Sequence, residues 1–428
     1  EASPQLTTGE SIAQLASMPA DKRTAQQRQR LRSQFLTTEL APKAAKLLHE
    51  QNQSLRAKLN AQKSKGSSTM VMQDMAAPRK TYVLERGQYD QRREEVSAAT
   101  PAALGLMPNN APRNRLGLAR WLVSGQHPLT ARVAVNRDWQ RFFGEGLVKS
   151  TEEFGTQGDW PSHPDLLNWL AVQFVKKGWD QKELIKLIVT SATYRQDSRA
   201  SVPLLARDPD NRLLARGPRH RLDAEVIRDN ALAVSGLLLH KIGGPSVYPY
   251  HPKGLWLELN NRPGLSRPYP HGKGEALFRR SLYTYWKRTV PPPSMATFDA
   301  PEREFCLVRR SRTNTPLQAF VLLHDPQFIE AARHLAAKMM AAAKDPEARI
   351  AHGFRIITAR TPSPREQAIL QRLYAERLAF YKKDPKAAEA LLSIGESKTP
   401  ETLPTTEHAV WTTVARAMMN LSETITKN

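Results

Sequence analysis

From Arg113 to its end the chain reads as a succession of helix starts and helix stops, and this punctuation limits the fold more than any other feature. Capping or helix-opening residues precede apolar stripes of three-to-four spacing: Pro128, Ser162 with Pro164, Asp180, Thr315 with Pro316, Asp325 with Pro326, and Ser363 with Pro364. "PLTARVAVNRDWQRFF" places Ala131, Val135, Trp139, Phe142 and Phe143 on one face and ends at Gly144. "PSHPDLLNWLAVQF" does the same with Leu167, Leu170, Ala171 and Phe174, behind a capping-box-like pair of Ser162 and Asp165. Gly178 closes that helix, and Asp180 with Glu183 opens one that should bury Leu184, Leu187, Ile188 and Ser191. "HRLDAEVIRDNALAVSGLLLHKIGG" predicts a helix closed by Gly243 and Gly244, and a final helix runs through Val410, Val414, Met418 and Leu421. The fold class expected is mainly α: an irregular multi-helix domain with helical hairpins, a few short β-strands and a long irregular loop region.

Composition shifts divide the 428 residues into three stretches. Residues 1–65 are polar and helix-prone, with Leu48, Leu55 and Leu59 on a stripe too short for a coiled coil, which predicts a helical arm or hairpin. Residues 66–112 form a short-strand linker in which "TMVMQDM" and "TYVLERG" read as the two strands. Residues 113–428 form the main helical domain, interrupted at about 241–315 by an irregular insert rich in Pro, Gly, Tyr and Trp, with one strand expected in "RRSLYTYWKRT". Long loops inside compact proteins are functional or disordered, and the aromatic content argues against disorder. No run approaches the roughly 18 consecutive apolar residues of a membrane span. The opening Glu-Ala-Ser-Pro, without a methionine, is expected of a processed product or an excised piece.

Lys+Arg 63 against Asp+Glu 41 leaves a net charge of +22, a field that attracts polyanions. Acidic or sulfated polysaccharide and acidic partner domains are the candidates. Nucleic acid is disfavoured, because the charge is spread throughout and no zinc finger or RNA-recognition motif is present. Cys306 is the sole cysteine, which excludes a disulfide framework, a Cys-rich zinc site and a Cys-x-x-Cys-His haem attachment within this chain. No phosphate loop, dinucleotide fingerprint, His-Glu-x-x-His or Gly-x-Ser-x-Gly elbow occurs, and no metal is assigned.

Three groups of residues remain as candidate binding positions. Arg132, Asn136 and Arg137 precede the loop "FGEGLVKSTEEFGTQGDWPSHPD", in which His163 and Asp165, with Glu152, Glu153 or Asp159, would offer an oxygen-rich metal or sugar site. Its glycines and Trp160 predict an ordered loop packed against the 221–229 helix. In that helix Arg221, Glu225, Arg228 and Asp229 share a face, the pattern of solvent-exposed pairing or, alternatively, of a charged seam inside the protein. Arg309, Arg310 and Arg312 lie just before a helix N-terminus, the best local candidate for an anion site, unless Asp299, Glu302 and Glu304 neutralise them. Catalytic residues are not assigned; carboxylates of the loop and of Glu225 and Asp229 are the alternative if the chain is an enzyme acting on carbohydrate or another polymer.

"NRLGLARWLV", "HPLTARVAVNRDWQRFFGEGLVKSTEEFGTQGDWPSHPDLLNWLA", "LIKLIVTSATYRQDS", "NRLLARGPRHRLDAEVIRDNALAVSG", "RRSLYTY" and "RRSRTNTPLQAFVLLHDPQF" occur in an order that resembles the planctomycete C-terminal domain of unknown function 1553, from about Arg113 onward. The resemblance implies a context: such domains end large exported planctomycete proteins behind a cytochrome-c-like domain. It implies a periplasmic or extracellular location, partners among the other domains of a parent polypeptide, and haem c on an associated domain or partner rather than a cofactor in this chain. It carries no catalytic residue with it. The expected role is a binding or scaffold module of a redox-linked assembly, able to take acidic or sulfated polysaccharide.

Overall fold

Proline at the first turn behind a capping Asp or Ser side chain opens the four helices that begin at Pro326, Pro346, Pro364 and Pro385, as expected where the missing proline N–H is unneeded. In the computed structural model, which describes residues 11–66, 69–75, 77–258 and 268–427, the chain divides into two compact units, 1–97 and 98–428. The first holds α1 (Ile12–Ser17), α2 (Ala25–Thr37) and α3 (Lys43–Lys65), followed by a hairpin of β1 (Thr81–Leu84) and β2 (Arg92–Val96). Helices α2 and α3 form the expected hairpin, yet Leu48, Leu55 and Leu59 are all exposed. "TMVMQDM" has no strand among its described residues; Thr81 pairs instead with Val96, and Leu84 with Arg92 across a bulge. Arg-Arg-Glu-Glu-Val is a poor apolar alternation, which hid the true partner strand.

The second unit continues with α4 (Arg115–Leu122), α5 (Thr130–Phe143), α6 (Pro164–Lys176), α7 (Gln181–Thr190), α8 (Val202–Arg207), β3 (His220–Arg221), α9 (Ala224–Ser235), α10 (Leu255–Glu258) and α11 (Pro293–Thr297). It ends with α12 (Pro316–His324), α13 (Pro326–Ala342), α14 (Pro346–Thr358), α15 (Pro364–Lys383), α16 (Pro385–Leu392), α17 (Thr405–Met419), α18 (Ser422–Ile425) and β4 (Thr426–Lys427). The class is mainly α, with two small two-stranded sheets.

Helix α13 is the axis of the main core. Ala331, Ala332, Leu335, Ala336 and Met339 are fully buried, and α9, α12, α14 and α17 pack around them. Small residues let helices approach closely. The same logic applies where a Cβ on Gly353 would lie 2.7 Å from the Met339 sulfur and 2.9 Å from Met418 Cε. A second core joins α5, α6 and α7 through Val135, Trp139, Phe143, Leu167, Phe174 and Ile188, with Trp139 stacked on Phe143 at 4.1 Å. β4 returns the C-terminus to β3, pairing Lys427 with His220 and Thr426 with Arg221.

Four local expectations are corrected. Helix α6 has His163, not Ser162, at its N-cap, with no side-chain cap, because the Ser162 N–H is held by Leu147 O at 2.8 Å. Leu187 of α7 is exposed, since only Leu184 and Ile188 point into the core. Helix α9 stops at Gly236, which takes the left-handed conformation at φ 82°, well before Gly243 and Gly244. The "RRSLYTYWKRT" segment is a 3-10 turn over Ser281–Tyr283 with isolated bridges Leu239–Arg279 and Val247–Thr284 rather than a strand.

Candidate functional site

The glycine-rich loop after α5 is built around Asn136. This side chain is fully buried; its Nδ2 donates to Val148 O at 3.0 Å, and its Oδ1 accepts from Val148 N at 2.9 Å. Gly146 has to be glycine here, since a Cβ would meet Asn136 Nδ2 at 2.6 Å and Val148 O at 2.5 Å. Leu147 and Val148 are thereby driven into the second core. The rest of the loop is tied internally: Ser150 Oγ donates to Glu153 O and accepts from Asp159 N, while Lys149 pairs with Asp210 at 2.8 Å. Trp160 stands 89% exposed at the tip, so it is not the buried wedge its surroundings suggest.

Arg132 faces protein as well, its Nε donating to Asn168 Oδ1 at 2.8 Å and its Nη1 to Pro128 O, whereas Arg137 lies on the exposed side of α5. His163 is half-buried with Nδ1 at 3.0 Å from the Ser162 hydroxyl, and Asp165 is exposed in the first turn of α6, where it suits the helix dipole. Among the described residues no group of three His, Cys, Asp or Glu is placed to hold a metal ion.

The loop and the arginine segment meet. A cleft of about 980 Å³ is lined by Gly144, Glu145, Glu152 and Asp223 on one side and by residues 306–313 on the other. Its arginines are spoken for. Arg310 forms a two-pronged pair with Glu225 (2.6 and 3.2 Å) and lies 3.8 Å from Asp223; Arg309 is 3.5 Å from Glu152; Arg312 donates to Gly144 O at 3.2 Å. The expected link from the loop to the 221–229 segment thus runs through these arginines. Asp299, which adopts a strained φ of 58°, is taken by Arg221 at 2.5 Å and by the Thr313 backbone and hydroxyl. Sequence spacing suggested Asp299, Glu302 and Glu304 as partners of Arg309, Arg310 and Arg312; the observed partners are the more distant Glu152 for Arg309, Glu225 and Asp223 for Arg310, and the Gly144 carbonyl for Arg312.

The shared charged face of Arg221, Glu225, Arg228 and Asp229 is an internal seam, not a surface one. Arg221 belongs to β3 rather than to the helix. Arg228 is 2% exposed; its guanidinium donates to Gln327 Oε1, to Leu277 O at 2.7 Å, to Arg279 O at 2.8 Å and to Ser281 Oγ. Burial lowers its pKa to about 10, so it stays charged at neutral pH. Asp229 accepts from Ser281 N at 2.7 Å. A buried arginine that spends its donors on carbonyls fixes a segment lacking regular secondary structure. That segment, residues 277–281, belongs to the irregular insert.

The insert forms the wall of a second, more enclosed pocket of about 700 Å³. Tyr250, His251, Trp256, Tyr269 and His271 supply an aromatic lining; Asp325 and Pro326 come from the start of α13, and Ile394, Gly395 and Glu396 from the turn after α16. The rings hold one another: His251 stacks on Tyr269 at 4.5 Å, Trp256 meets Tyr269 edge-on at 5.1 Å, and Lys287 Nζ lies 4.3 Å from the Trp256 ring centroid. Polar tips are anchored behind the lining. Tyr250 donates to the buried Glu330 at 2.9 Å and accepts from Glu396 N, Tyr269 donates to Pro249 O at 2.6 Å, and His271 meets Glu396 at 2.7 Å.

Asp325 is the chemically distinctive group. Its Oδ1 accepts from Gln327 N at 3.0 Å as the N-cap of α13. Its Oδ2 has no protein hydrogen bond among the described residues. Burial pushes this carboxyl up to about 6, against the smaller opposing effects of the Gln327 N–H and of Arg228. Burial also raises the Tyr250 and Tyr269 hydroxyls and lowers His251. A wide aromatic cleft with a few convergent polar groups and a perturbed carboxyl is the usual form of a small-ligand site. Asp325 and Pro326 were expected only as a helix start and none of the residues was expected as a site; the available signal was the density of Tyr, Trp and Pro in the insert.

No curated protein and no solved structure shows a significant similarity to this chain. The family described as "Protein of unknown function (DUF1553)", PSD1, matches residues 114–374. The match takes in α5, the glycine-rich loop, the charged seam, the arginine segment and the pocket residues up to Pro326, although the Ile394–Glu396 wall lies beyond it. Covering more than half of the sequence, it places this chain in the PSD1 family.

Proposed function

We propose that the chain is an exported binding module that holds a polysaccharide within a cytochrome-c-associated multidomain assembly, with the aromatic pocket as the seat of one sugar ring. The aromatic lining carries this reading. Tyr269 and His251, stacked on each other beside the buried Trp256, give the pocket an ordered aromatic wall, and the apolar face of a sugar stacks on such rings while its hydroxyls reach polar groups at the edge. The net charge of +22 would draw an acidic or sulfated chain to the surface around the pocket. The arginine cleft supports this less well as an anion site, because Arg310 is already neutralised by Glu225.

An enzyme using the carboxylates of the loop and of α9 finds less support. Glu152, Glu225 and Asp229 each face an arginine, the arrangement of structural carboxylates rather than of proton donors. Titration calorimetry of the chain against chondroitin sulfate, carrageenan and dextran tests the proposal. Binding of at least one polymer is expected, weakened tenfold or more in Trp256→Ala. Absence of binding to all three, or equal binding by the variant, would remove the sugar-site reading.

A further inference from the structure

Every charged group at the aromatic pocket bears on what kind of ring it can take. His271 Nε2 and Glu396 Oε1 are engaged with each other at 2.7 Å. Lys287 lies against Trp256, and Lys253 is the one lysine among the described residues that line the cavity. Opposite these stands Asp325, whose Oδ1 is committed to Gln327 N and whose Oδ2 has no protein partner among the described residues. The arginine nearest in charge, Arg228, has its guanidinium donors directed to Gln327, Leu277, Arg279 and Ser281. Among the described residues the cavity has no fork for a sulfate or a uronate carboxylate, and a carboxylate inside it repels both.

We propose that Asp325 is the specificity-determining residue of this pocket, its free Oδ2 accepting hydrogen bonds from hydroxyls of an uncharged sugar ring stacked on Trp256 and Tyr269. The inference rests on the reading of the pocket as a sugar site and adds the class of ring it selects. Two further polar atoms fit a hydroxyl-rich ligand. The Trp256 indole N–H is a buried donor and His251 Nε2 a buried ring nitrogen, neither with a partner among the described residues; with His251 Nδ1 placed to donate to Pro252 O at 3.3 Å, the neutral tautomer leaves Nε2 as an acceptor. A hydroxyl can both donate and accept, whereas a sulfate only accepts. Because the Asp325 carboxyl lies near 6, it is ionised above neutral pH and can serve as an acceptor. A neutral ring held here also accommodates the overall charge: the basic surface attracts the polymer, and the pocket reads an uncharged residue within it.

The test is competition by monosaccharides. Methyl glycosides of glucose, galactose, mannose and xylose, together with glucuronate, galacturonate and galactose 6-sulfate, are titrated into wild type, Asp325→Asn and Trp256→Ala at pH 7.5. At least one neutral glycoside is expected to bind at millimolar level or better, with the acidic sugars at least tenfold weaker. Asp325→Asn should lower the affinity for the neutral glycoside about tenfold without lowering the melting temperature, because Asn retains the N-cap oxygen and carries no buried charge. Acidic sugars binding as well as neutral ones, or an unchanged Asp325→Asn, would overturn the role of Asp325 even where Trp256→Ala confirms the sugar site. Loss of binding for all sugars in the wild type would overturn the selectivity and the sugar-site reading together.

Discussion

Asn136 satisfies both polar groups of a single residue in the following loop: Val148 O accepts from its Nδ2 at 3.0 Å and Val148 N donates to its Oδ1 at 2.9 Å. Both residues are buried, so the amide acts as a strand partner where no strand exists. Asn136→Ala leaves the two backbone groups unpaired, at about 1–3 kcal/mol each, with the Thr151 hydroxyl at 3.5 Å from Val148 O able to compensate in part. A loss of about 3 kcal/mol in urea unfolding is expected. A variant within about 0.5 kcal/mol of wild type would mean that the loop does not depend on this pair.

The three arginines of the 309–312 segment are unequal. Arg310 engages Glu225 through two nitrogens, and Glu225 is only 19% exposed, so removing Arg310 strands a shielded carboxylate. Arg309 touches Glu152 at 3.5 Å with both side chains about half exposed, a pair whose worth is about 0–1 kcal/mol. Arg310→Gln should therefore destabilise by about 1–2 kcal/mol, and Arg309→Gln by less than about 0.5 kcal/mol. The same ranking should hold for sulfated-polymer binding in reverse, with exposed Arg309 contributing more than Arg310 to the salt-sensitive part. Equal effects of the two variants in both assays would argue against this inequality between the Arg310–Glu225 and Arg309–Glu152 pairs.

Asp325 gives a pH-dependent signature independent of any ligand. Its carboxyl lies near 6 in the folded protein against 3.8 ordinarily, so the native state binds a proton more tightly than the unfolded chain. The associated stability is fully present below pH 4 and is lost as pH rises through 6, a change of about 3 kcal/mol. Asp325→Asn keeps the cap and has no proton to lose. The variant should match wild type at pH 4 and exceed it at pH 7.5, as read from the difference in melting temperature. A difference independent of pH would contradict the buried-carboxyl assignment. A residue that costs stability at working pH is the kind retained for function.

Several helix starts proved readable from a single residue, though the one expected at Ser162 did not. Asp325 and Ser363 cap where expected, and Pro316, Pro326 and Pro364 occupy first turns, because capping and proline geometry are local. The pocket was unreadable for the opposite reason. Tyr250, Tyr269, Asp325 and Glu396 are brought together by tertiary packing over as many as 146 positions, as in the contact of Glu396 N with the Tyr250 hydroxyl. Arg228 shows an intermediate case: periodicity placed it on a charged face, but only the neighbouring 277–281 turn, which lacks a periodic pattern, decides whether that face meets water or carbonyls.

His220 supplies the acid limit of the fold. It pairs with Lys427 in the strand contact between β3 and β4, and its Nδ1 is buried without a partner among the described residues. Burial, reinforced by the positive charges of Arg312 and Lys427, pushes it down to about 4 from 6.5. A depressed folded-state value means that the unfolded chain takes up the proton first, so stability present above pH 6.5 is lost as pH falls toward 4, by about 3 kcal/mol. His220→Gln removes the titration while keeping a polar side chain of similar reach. Between pH 7.5 and 4.5 the wild type should lose markedly more stability to urea than this variant. Hydrogen exchange should show the Leu222 N–H, bonded to Ile425 O at 2.8 Å, opening first. Equal acid sensitivity in the two proteins would assign the loss to another group, whereas early opening confined to the wild type would locate it at the β3–β4 contact beside Arg312, linking the C-terminus to the arginine cleft.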